Sequence, residues 1–472
     1  MTKIHCCHTE HKLLAILALT CLCGIAKAQS ISFSASTPAS GSNTIWGVAT
    51  GDFNHDGKQD IVVVNQGANS FSYLQGLGNG TFAAPVTFSA SASGALPSAI
   101  VAADFNNDGN LDVAIVHPTT TSQGFGNAVT VHLGDGKGSF ASPGIVFFTG
   151  GTDTALVVGD FNEDGIPDLA VASCDAGAIY IHQGNGDGTF TQIGSLPVAQ
   201  CGGTATLAVQ VADLNRDNHL DIIASTLGDN QAVSVFLGNG DGTFGPKNRF
   251  PIVGNYPAAI AVGDFNGDGN PDLAVTNYND STVSVLLGDG QGGLTSSGAF
   301  PCGPRPYDII VSDVNRDGKQ DLVAANSGGT GMSVLLGDGA GHFGAPLTFP
   351  GGSSPYSLAT ADFNGDSLPD IAVANSGSGN LTVFTNTLGH CVTSISPSSH
   401  KAISTGGTLT LSVTAAAGCG WAATAKLPWL GFPSGAAGTG SAKVNVSIAP
   451  NYGASRKGTV AVGSKRAVIT QN

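Results

Sequence analysis

Seven short stretches of the chain carry oxygen-bearing side chains at the same four positions. Each stretch follows the nine-residue pattern Asp-x-Asn-x-Asp-x-x-x-Asp, and successive copies begin 49 to 56 residues apart. Carboxylate and amide oxygens are hard ligands that suit Ca²⁺, and a flexible loop can fold round the ion. The pattern therefore predicts up to seven calcium ions, one in each repeat. The predicted ligands are Asp52, Asn54, Asp56, Asp60, Asp104, Asn106, Asp108, Asp112, Asp160, Asn162, Asp164, Asp168, Asp213, Asn215, Asp217, Asp221, Asp264, Asn266, Asp268, Asp272, Asp313, Asn315, Asp317, Asp321, Asp362, Asn364, Asp366 and Asp370.

Other interpretations of these loops are weaker. One isolated copy is also typical of a solvated turn, but seven copies with the same ligand positions favour a metal site. An EF-hand loop needs a bidentate Glu at position 12 and flanking helices, whereas position 12 is Val63 in the first copy and Val275 in the fifth. Position 6 is glycine in five loops, but Asn218 and Ser367 replace it in the fourth and seventh. If that position needs a left-handed backbone, we expect the seventh site to be the weakest.

The spacing of about 50 residues indicates a repeat architecture. Each repeat predicts four short strands, as at 100–103, 112–116, 128–133 and 145–148, with the aspartate loop between the first two and a Gly-rich turn between the last two. The seventh repeat stops after three strands, while an alternating run at 31–36 has no loop of its own. Pairing the two predicts an all-β fold, a seven-bladed β-propeller whose N-terminal strand closes the last blade.

Three aromatic residues lie six positions before the first aspartate of their loops: Trp46, Tyr307 and Tyr356. They belong to the first, sixth and seventh repeats, which become neighbours when the ring closes. They therefore predict one aromatic patch at the mouth of the central channel, beside Arg305 and the loop 118–127. Such rings stack on sugars or peptide side chains. The alternative is that the rings plug the channel and pack only on each other.

Catalytic groups are scarce. After residue 28 the chain contains one glutamate, Glu163, which lies inside an aspartate loop, and most aspartates are assigned to calcium. A spare pair of carboxylates for glycoside hydrolysis is therefore hard to find. His132 and His182 occupy matching positions in adjacent repeats. They could form a zinc or acid–base site, and the alternative is that they are ordinary strand residues. No nucleophile elbow, zinc-protease helix or phosphate-binding loop occurs, so we expect no enzymatic activity.

The composition and the first residues indicate an exported protein. The chain has 472 residues with 68 glycines and a formal net charge of −15. Seven calcium ions would nearly cancel that charge, so the acidity indicates metal sites, and no basic stripe for nucleic acid is present. Residues 1–28 combine early lysines, an apolar run and a small-x-small cleavage pattern, which predicts a signal peptide. We expect a secreted, periplasmic or cell-surface protein without a membrane span.

The repeats resemble the FG-GAP and VCBS repeats of integrin-like seven-bladed β-propellers. Residues 343–346, Phe-Gly-Ala-Pro, match the motif that names the family, and residues 286–290 match the turn that precedes it. The resemblance covers residues 29–388. It implies calcium in the aspartate loops and a surface that binds glycan or protein.

Residues 389–472 form a second predicted domain, because they carry no aspartate loop and differ in composition. Short alternating runs at 408–413, 442–448 and 458–462 predict a small β-sandwich. Cys391, residues 418–421 and the closing strand resemble a BACON-type immunoglobulin-like domain, which implies a Cys391–Cys419 disulfide. In the propeller, Cys174 and Cys201 are expected on one face, so their disulfide is a second prediction that leaves Cys302 unpaired.

The sequence as a whole predicts a calcium-stabilised propeller with a small sandwich, acting as a non-catalytic binding or adhesion module for an extracellular glycan or protein. A polysaccharide lyase or hydrolase is the alternative from another class. A structural spacer is the second alternative.

Overall fold

The computed structural model describes residues 31–42, 44–90, 96–118, 128–142, 144–149, 153–198, 208–226, 231–388, 392–415, 420–425, 427–433, 436–463 and 465–472. Nearly all of them lie in strands or tight turns, and a short 3₁₀ helix occupies Gln66–Ala68. Within these ranges no helix has the length and apolar character to cross a membrane. The signal peptide predicted at 1–28 lies outside the described residues.

Seven antiparallel sheets of four strands form the blades of a β-propeller. The first, channel-side strands are β2 (Ile45–Gly51), β6 (Ala99–Ala103), β10 (Asp153–Gly159), β14 (Ala208–Ala212), β18 (Pro257–Gly263), β22 (Pro306–Ser312) and β26 (Pro355–Ala361). The second strands are β3 (Asp60–Asn65), β7 (Asp112–His117), β11 (Asp168–Ser173), β15 (Asp221–Thr226), β19 (Asp272–Asn277), β23 (Asp321–Asn326) and β27 (Asp370–Asn375).

The outer half of each blade is built from two more strands. The third strands are β4 (Ser70–Leu74), β8 (Ala128–His132), β12 (Ala178–Gly184), β16 (Ala232–Phe236), β20 (Thr282–Gly288), β24 (Thr330–Leu335) and β28 (Asn380–Asn386). The fourth strands are β5 (Val86–Ser89), β9 (Ile145–Phe148), β13 (Phe190–Pro197), β17 (Asn248–Pro251), β21 (Leu294–Pro301) and β25 (Leu347–Ser353) in blades one to six, and β1 (Phe33–Ser36) in blade seven.

The ring closes through the first strand of the chain. β1 pairs antiparallel with β28, with Phe33 opposite Asn386 and Ser36 opposite Val383. The channel-side strands of neighbouring blades contact each other all round the ring, and β26 of the last blade contacts β2 of the first. This confirms the prediction that an N-terminal strand completes the seventh blade.

The core is divided among the interfaces between adjacent blades. β3, for example, is buried along its whole length, because both of its faces are covered by neighbouring sheets. One cluster joins Phe71 and Tyr73 of blade one to Val113 and Phe140 of blade two. The fourth strands are more open to solvent: in β5, for example, three residues are exposed and one is half-buried. This division explains why the second strands are continuous apolar runs.

The remaining residues form a small sandwich of two sheets, as predicted. One sheet contains β29 (Val392–Ser396), β31 (Gly407–Ala415), β35 (Ala442–Ile448) and β33 (Leu430–Gly431), in that order. The other contains β30 (Ser399–Ala402), β37 (Lys465–Gln471), β36 (Arg456–Val462), β32 (Gly420–Thr424) and β34 (Ala437–Thr439). Trp421 is buried between them, and its Nε1 donates to the carbonyl of Gly440 at 2.7 Å. The BACON-type assignment stays a prediction.

Candidate functional sites: the aspartate loops and the aromatic arc

The aspartate loops join the first and second strands, and all seven have the same internal hydrogen bonds. In the first loop, the N–H of Asp56 donates to Oδ1 of Asp52 at 3.1 Å and to Oδ1 of Asn54 at 2.9 Å. The N–H of Gly57 donates to Oδ2 of Asp52 at 2.8 Å, and the N–H of Lys58 donates to Oδ1 of Asp56 at 3.0 Å. The side-chain oxygens at positions 1, 3 and 5 therefore gather on one turn of backbone.

Position 6 of every loop has a left-handed backbone, whichever residue occupies it. The φ angle is +77° at Gly57, +71° at Asn218 and +65° at Ser367. Glycine adopts this conformation freely, asparagine tolerates it, and serine does so at a cost in conformational energy. The backbone requirement on which the predicted weakness of the seventh site depends is thus present in the structure.

The aspartate at position 9 is fully buried in every blade. In the first loop, Asp60 accepts the N–H of Phe53 at 3.1 Å and the N–H of Gly76 at 2.7 Å, one on each carboxylate oxygen. Burial, reinforced by repulsion from other aspartates of the same loop, raises the pKa of the position 9 carboxyl. That pKa rises to about 6 in Asp60, Asp112 and Asp221, and to about 7 in Asp321 and Asp370.

The donor set fits a divalent cation in chemistry and in charge. Each loop concentrates three carboxylates and one amide oxygen, and a dication would relieve their mutual repulsion. In the part of the chain that the structure describes, no three acidic, histidine or cysteine side chains are preassembled around one point. The loop oxygens instead accept the loop's own N–H groups. Each of these oxygens has a second lone pair, so it could accept a loop N–H and face a cation at the same time.

Neighbouring loops contact each other on this face of the ring. His55 at position 4 of the first loop places Nε2 3.0 Å from Oδ1 of Asn110 at position 7 of the second. The N–H of Gly138, in the Gly-rich turn of blade two, donates to the carbonyl of Phe53 in the first loop at 3.2 Å. Further contacts between loops join Glu163 to His219, Arg216 to Asn270, and Arg316 to Ser367. The loops thus form a connected belt rather than independent sites.

The three predicted aromatic residues meet at the channel mouth. The ring centroids of Trp46 and Tyr356 lie 4.4 Å apart, and those of Tyr356 and Tyr307 lie 3.9 Å apart in a stacked arrangement. The hydroxyls of the two tyrosines hydrogen-bond to each other. Burial and the neighbouring Tyr307 raise the pKa of Tyr356. The predicted contiguity of the three rings is present in the structure.

The row of rings extends further than sequence reasoning found. Tyr278 lies 6.2 Å from Tyr307 and 5.1 Å from Tyr256, centroid to centroid. The guanidinium carbon of Arg305 lies 5.7 Å from the centre of the Tyr278 ring. We call Trp46, Tyr356, Tyr307, Tyr278 and Tyr256, together with Arg305, the aromatic arc. Of the loop 118–127, predicted to lie beside it, only Pro118 is among the described residues.

The aromatic arc borders a channel of about 190 Å³ that all seven blades line. Asp308 is the one carboxylate in the described lining of that channel. Its Oδ1 accepts the N–H of Ile309, and its Oδ2 accepts the N–H of Leu358 in the next blade, both at 2.8 Å. Burial raises the pKa of Asp308 to about 6. This residue was not singled out from the sequence, because an aspartate at one channel-side strand is inconspicuous among so many others.

The two matched histidines occupy ordinary strand positions. The ring of His132 lies 4.9 Å from Phe71, and the ring of His182 lies 4.8 Å from Phe147. Burial lowers the pKa of both imidazoles, to about 4 for His182, so both are neutral at physiological pH.

The structure describes only some of the cysteines for which disulfides were predicted. Cys174 is buried and disulfide-bonded, but Cys201 lies outside the described residues, so its pairing with Cys174 stays a prediction. Cys391 and Cys419 also lie outside the described residues, and their disulfide stays a prediction. Cys302 is a free thiol, and burial raises its pKa to about 12.

Two curated proteins resemble part of the chain. Integrin alpha-6 of Gallus gallus is 30% identical over 149 residues, which cover 29% of this chain and 14% of that protein. Cartilage acidic protein 1 of Mus musculus is 33% identical over 149 residues, which cover 29% of this chain and 22% of that protein. The chain therefore spans less than a quarter of either relative.

Solved structures share the fold. BBS1N, solved in complex with ARL6DN, superimposes with a TM-score of 0.52 and 14% identity, over 75% of this chain and 96% of that one. A protein from Lactobacillus plantarum gives a TM-score of 0.51 and 12% identity, over 66% of this chain and 86% of that one. At such low identity these similarities show the fold alone.

A family model described as the FG-GAP-like repeat matches residues 52–115, 120–171, 160–224, 213–275, 264–324 and 313–373. Five of these six matches begin at the first aspartate of a loop, so the model and the aspartate pattern mark the same repeat. The matches cover more than half of the chain, and the structure places them in successive blades of one propeller. The chain therefore belongs to the FG-GAP-like repeat family.

Proposed function

We propose that the protein is a secreted, non-catalytic binding module in which calcium stabilises the propeller and the aromatic arc contacts an extracellular glycan or protein. The aromatic arc is the observation that carries this proposal. Its five rings are each half-buried and Arg305 is exposed, so the row is partly accessible to solvent. Single surface rings need no explanation, but a contiguous row of tyrosine, tryptophan and arginine is typical of an interaction surface.

The relatives support the same class of function. Similarity to an integrin alpha chain and to a cartilage protein favours an extracellular setting and a surface that recognises another molecule. Tyrosine and tryptophan faces stack on sugars and on peptide side chains alike, so the aromatic arc fits either class of ligand.

Calcium has a structural role in this proposal. The ions would be held by the side chains at positions 1, 3, 5 and 9 of each loop and by the carbonyl of position 7. Since the loops form a connected belt, each ion would stiffen its own turn and the contact with the next blade. The aromatic arc lies at the opposite ends of the channel-side strands, so the ions would support the scaffold rather than touch the ligand.

The enzymatic alternative receives no support from the site. Asp308 is the one carboxylate in the described lining of the channel, and both of its oxygens accept backbone N–H groups. Glycoside hydrolysis needs a second carboxylate about 5–10 Å away.

The proposal is tested by screening the mature chain, with calcium, against arrays of glycans and extracellular proteins. The Trp46→Ala/Tyr278→Ala/Tyr307→Ala variant should weaken the selected interaction by about tenfold or more, because central aromatic residues dominate binding energy. Tyr452→Ala is the matched control, since Tyr452 lies on the sandwich and is 86% exposed. Release of reducing ends or unsaturated sugars would establish the enzyme instead. If nothing is retained and the variant changes only the melting temperature, the protein is a spacer.

A further inference from the structure

A second surface, separate from the aromatic arc, lies where the sandwich faces the last blades of the propeller. A cleft of about 720 Å³ separates the two parts. Its propeller wall consists of residues 365–368 of the seventh aspartate loop together with Arg316 of the sixth. Its sandwich wall is the outer face of the five-stranded sheet. Clefts of roughly 300–1,000 Å³ are the usual size of ligand sites.

The charge of the chain is divided sharply at this cleft. Residues 389–472 contain seven lysines and arginines and no acidic residue, whereas residues 29–388 contain 32 acidic residues and eight basic ones. Charge asymmetry of this degree indicates that the basic part meets an anionic partner. The propeller also contributes one of its few cations, Arg316, to the same cleft.

The three cations of the cleft are available to a ligand. Lys457 on β36 and Arg466 on β37 are both exposed. Arg466 lies opposite Ala461 in the sheet, and Ala461 points to the same face as Lys457, so Lys457 and Arg466 share that face. Among the described residues neither of these two side chains has an ion pair or a hydrogen bond. Arg316 is oriented by donating to the carbonyl of Ser367, and Asp366 is the one acidic residue in the described lining.

The floor between the cations favours a flat, hydroxylated anion. It is made of small residues, with Ala422, Gly458 and Ala461 beside the hydroxyls of Thr424 and Thr459. The cleft lies against the face of the five-stranded sheet, whereas an acidic peptide that adds as a strand pairs with a sheet edge. The described lining also contains no aromatic ring on which a nucleic-acid base could stack.

We infer that this cleft binds an acidic saccharide. Its carboxylate or sulfate groups are held by Arg316, Lys457 and Arg466, and its hydroxyls contact Thr424 and Thr459. Arginine pairs with such anions through two parallel N–H donors, whereas lysine acts as a point charge. The site is distinct from the aromatic arc, and its ligand is selected by charge rather than by ring stacking.

The test is calorimetric titration of the full mature chain with three tetrasaccharides: one of galacturonate, one sulfated, and one of neutral galactose. The acidic probes should bind and the neutral one should not, and affinity should fall as salt rises. The preferred probe then distinguishes carboxylate from sulfate. Lys457→Gln/Arg466→Gln should weaken binding by about tenfold or more, since two charged contacts are removed.

The matched control is Lys401→Gln/Lys443→Gln, which removes the same charge from exposed sandwich positions outside the cleft. An equal loss in the control would show attraction by net charge alone and would overturn the inference. It is also overturned if the neutral probe binds equally, if inorganic sulfate binds as tightly as the saccharide, or if no probe binds. A cleft variant that changes only the melting temperature would assign the cations to contact between the domains. The aromatic variant should leave this binding intact, so failure here and failure of the proposed function are distinguishable.

Discussion

The side-chain amide of Asn386 donates to the backbone carbonyl of Val314 at 2.8 Å, and in doing so replaces a turn that blade seven lacks. In the other blades, a glycine N–H of the Gly-rich turn makes this bond to the loop of the preceding blade, as Gly138 does to Phe53. Asn386 also accepts the N–H of Leu388 at 3.0 Å. The buried side chain of Asn386 therefore completes the belt of connected loops at the truncated seventh repeat.

Replacing Asn386 with alanine should lower the free energy of unfolding by about 2–4 kcal/mol, because a buried carbonyl and a buried N–H lose their partners. Urea unfolding followed by tryptophan fluorescence measures the change. Asn279→Ala is the control, since Asn279 is exposed and its side chain has no partner among the described residues. Equal losses in both variants would show that Asn386 has no special role.

Exchanging the residues at position 6 should shift stability in opposite directions in two loops. Ser367→Gly relieves the left-handed strain and should raise the free energy of unfolding by up to about 1 kcal/mol, while Gly318→Ser should lower it by about 1 kcal/mol. A Cβ at Gly318 would meet no atom within 4 Å, so its cost is that of the backbone alone. Calcium titration of both variants should show tighter binding in the first and weaker binding in the second. Stabilisation by Gly318→Ser would contradict the argument.

Removing calcium should lower the melting temperature steeply. Each bound ion would stabilise the fold by roughly 1–3 kcal/mol when free calcium is about ten to a hundred times its dissociation constant. Scanning calorimetry with and without chelator measures the shift, and elemental analysis counts the ions. Asp104→Asn should lose one ion, whereas Asp280→Asn, which changes an exposed aspartate outside the loops, should lose none. An identical melting temperature after chelation would refute the calcium proposal.

The buried carboxyl of Asp308 should make the propeller less stable as pH rises from about 4 to about 6. Its pKa in the folded chain is raised to about 6, so the folded state holds a proton that the unfolded state has already released. The favourable contribution is present at low pH and is lost as the group ionises. The difference from the ordinary value sets an upper limit of about 3 kcal/mol.

The variant Asp308→Asn isolates this contribution, because it keeps one acceptor oxygen and removes the titration. Melting temperatures of both proteins between pH 4 and pH 7 should show a flatter profile in the variant than in the native chain. Parallel profiles would mean that Asp308 titrates at its ordinary value.

The propeller could be predicted from the sequence because its signal is local and repeated. Each aspartate loop predicts the hairpin in which it lies. The truncated seventh repeat and the unassigned strand before Trp46 together predict how the ring of blades closes. Trp46, Tyr307 and Tyr356 could be placed together because they share one position in the repeat. The left-handed backbone that is the condition for a weak seventh site is present at Ser367, while the weakness itself stays a prediction.

The features that escaped sequence reasoning depend on contacts between distant parts of the chain. Tyr256 and Tyr278 join the aromatic arc from the loops of blade five, where no repeat position marks them. Mapping the aromatic residues of both kinds of loop on the face opposite the aspartates would have found them. The hydrogen bond between Asn386 and Val314 joins residues 72 positions apart, and no pattern in the sequence predicts it.

Because β1 pairs with a strand of the last blade, the ring can close only after the whole propeller has been synthesised. The ribosome releases Phe33–Ser36 long before their partners in β28, so the opening segment stays unpaired until the final blade emerges. A prematurely terminated chain keeps an open edge of the kind that promotes aggregation. A chain that ends before β28 therefore cannot close the ring.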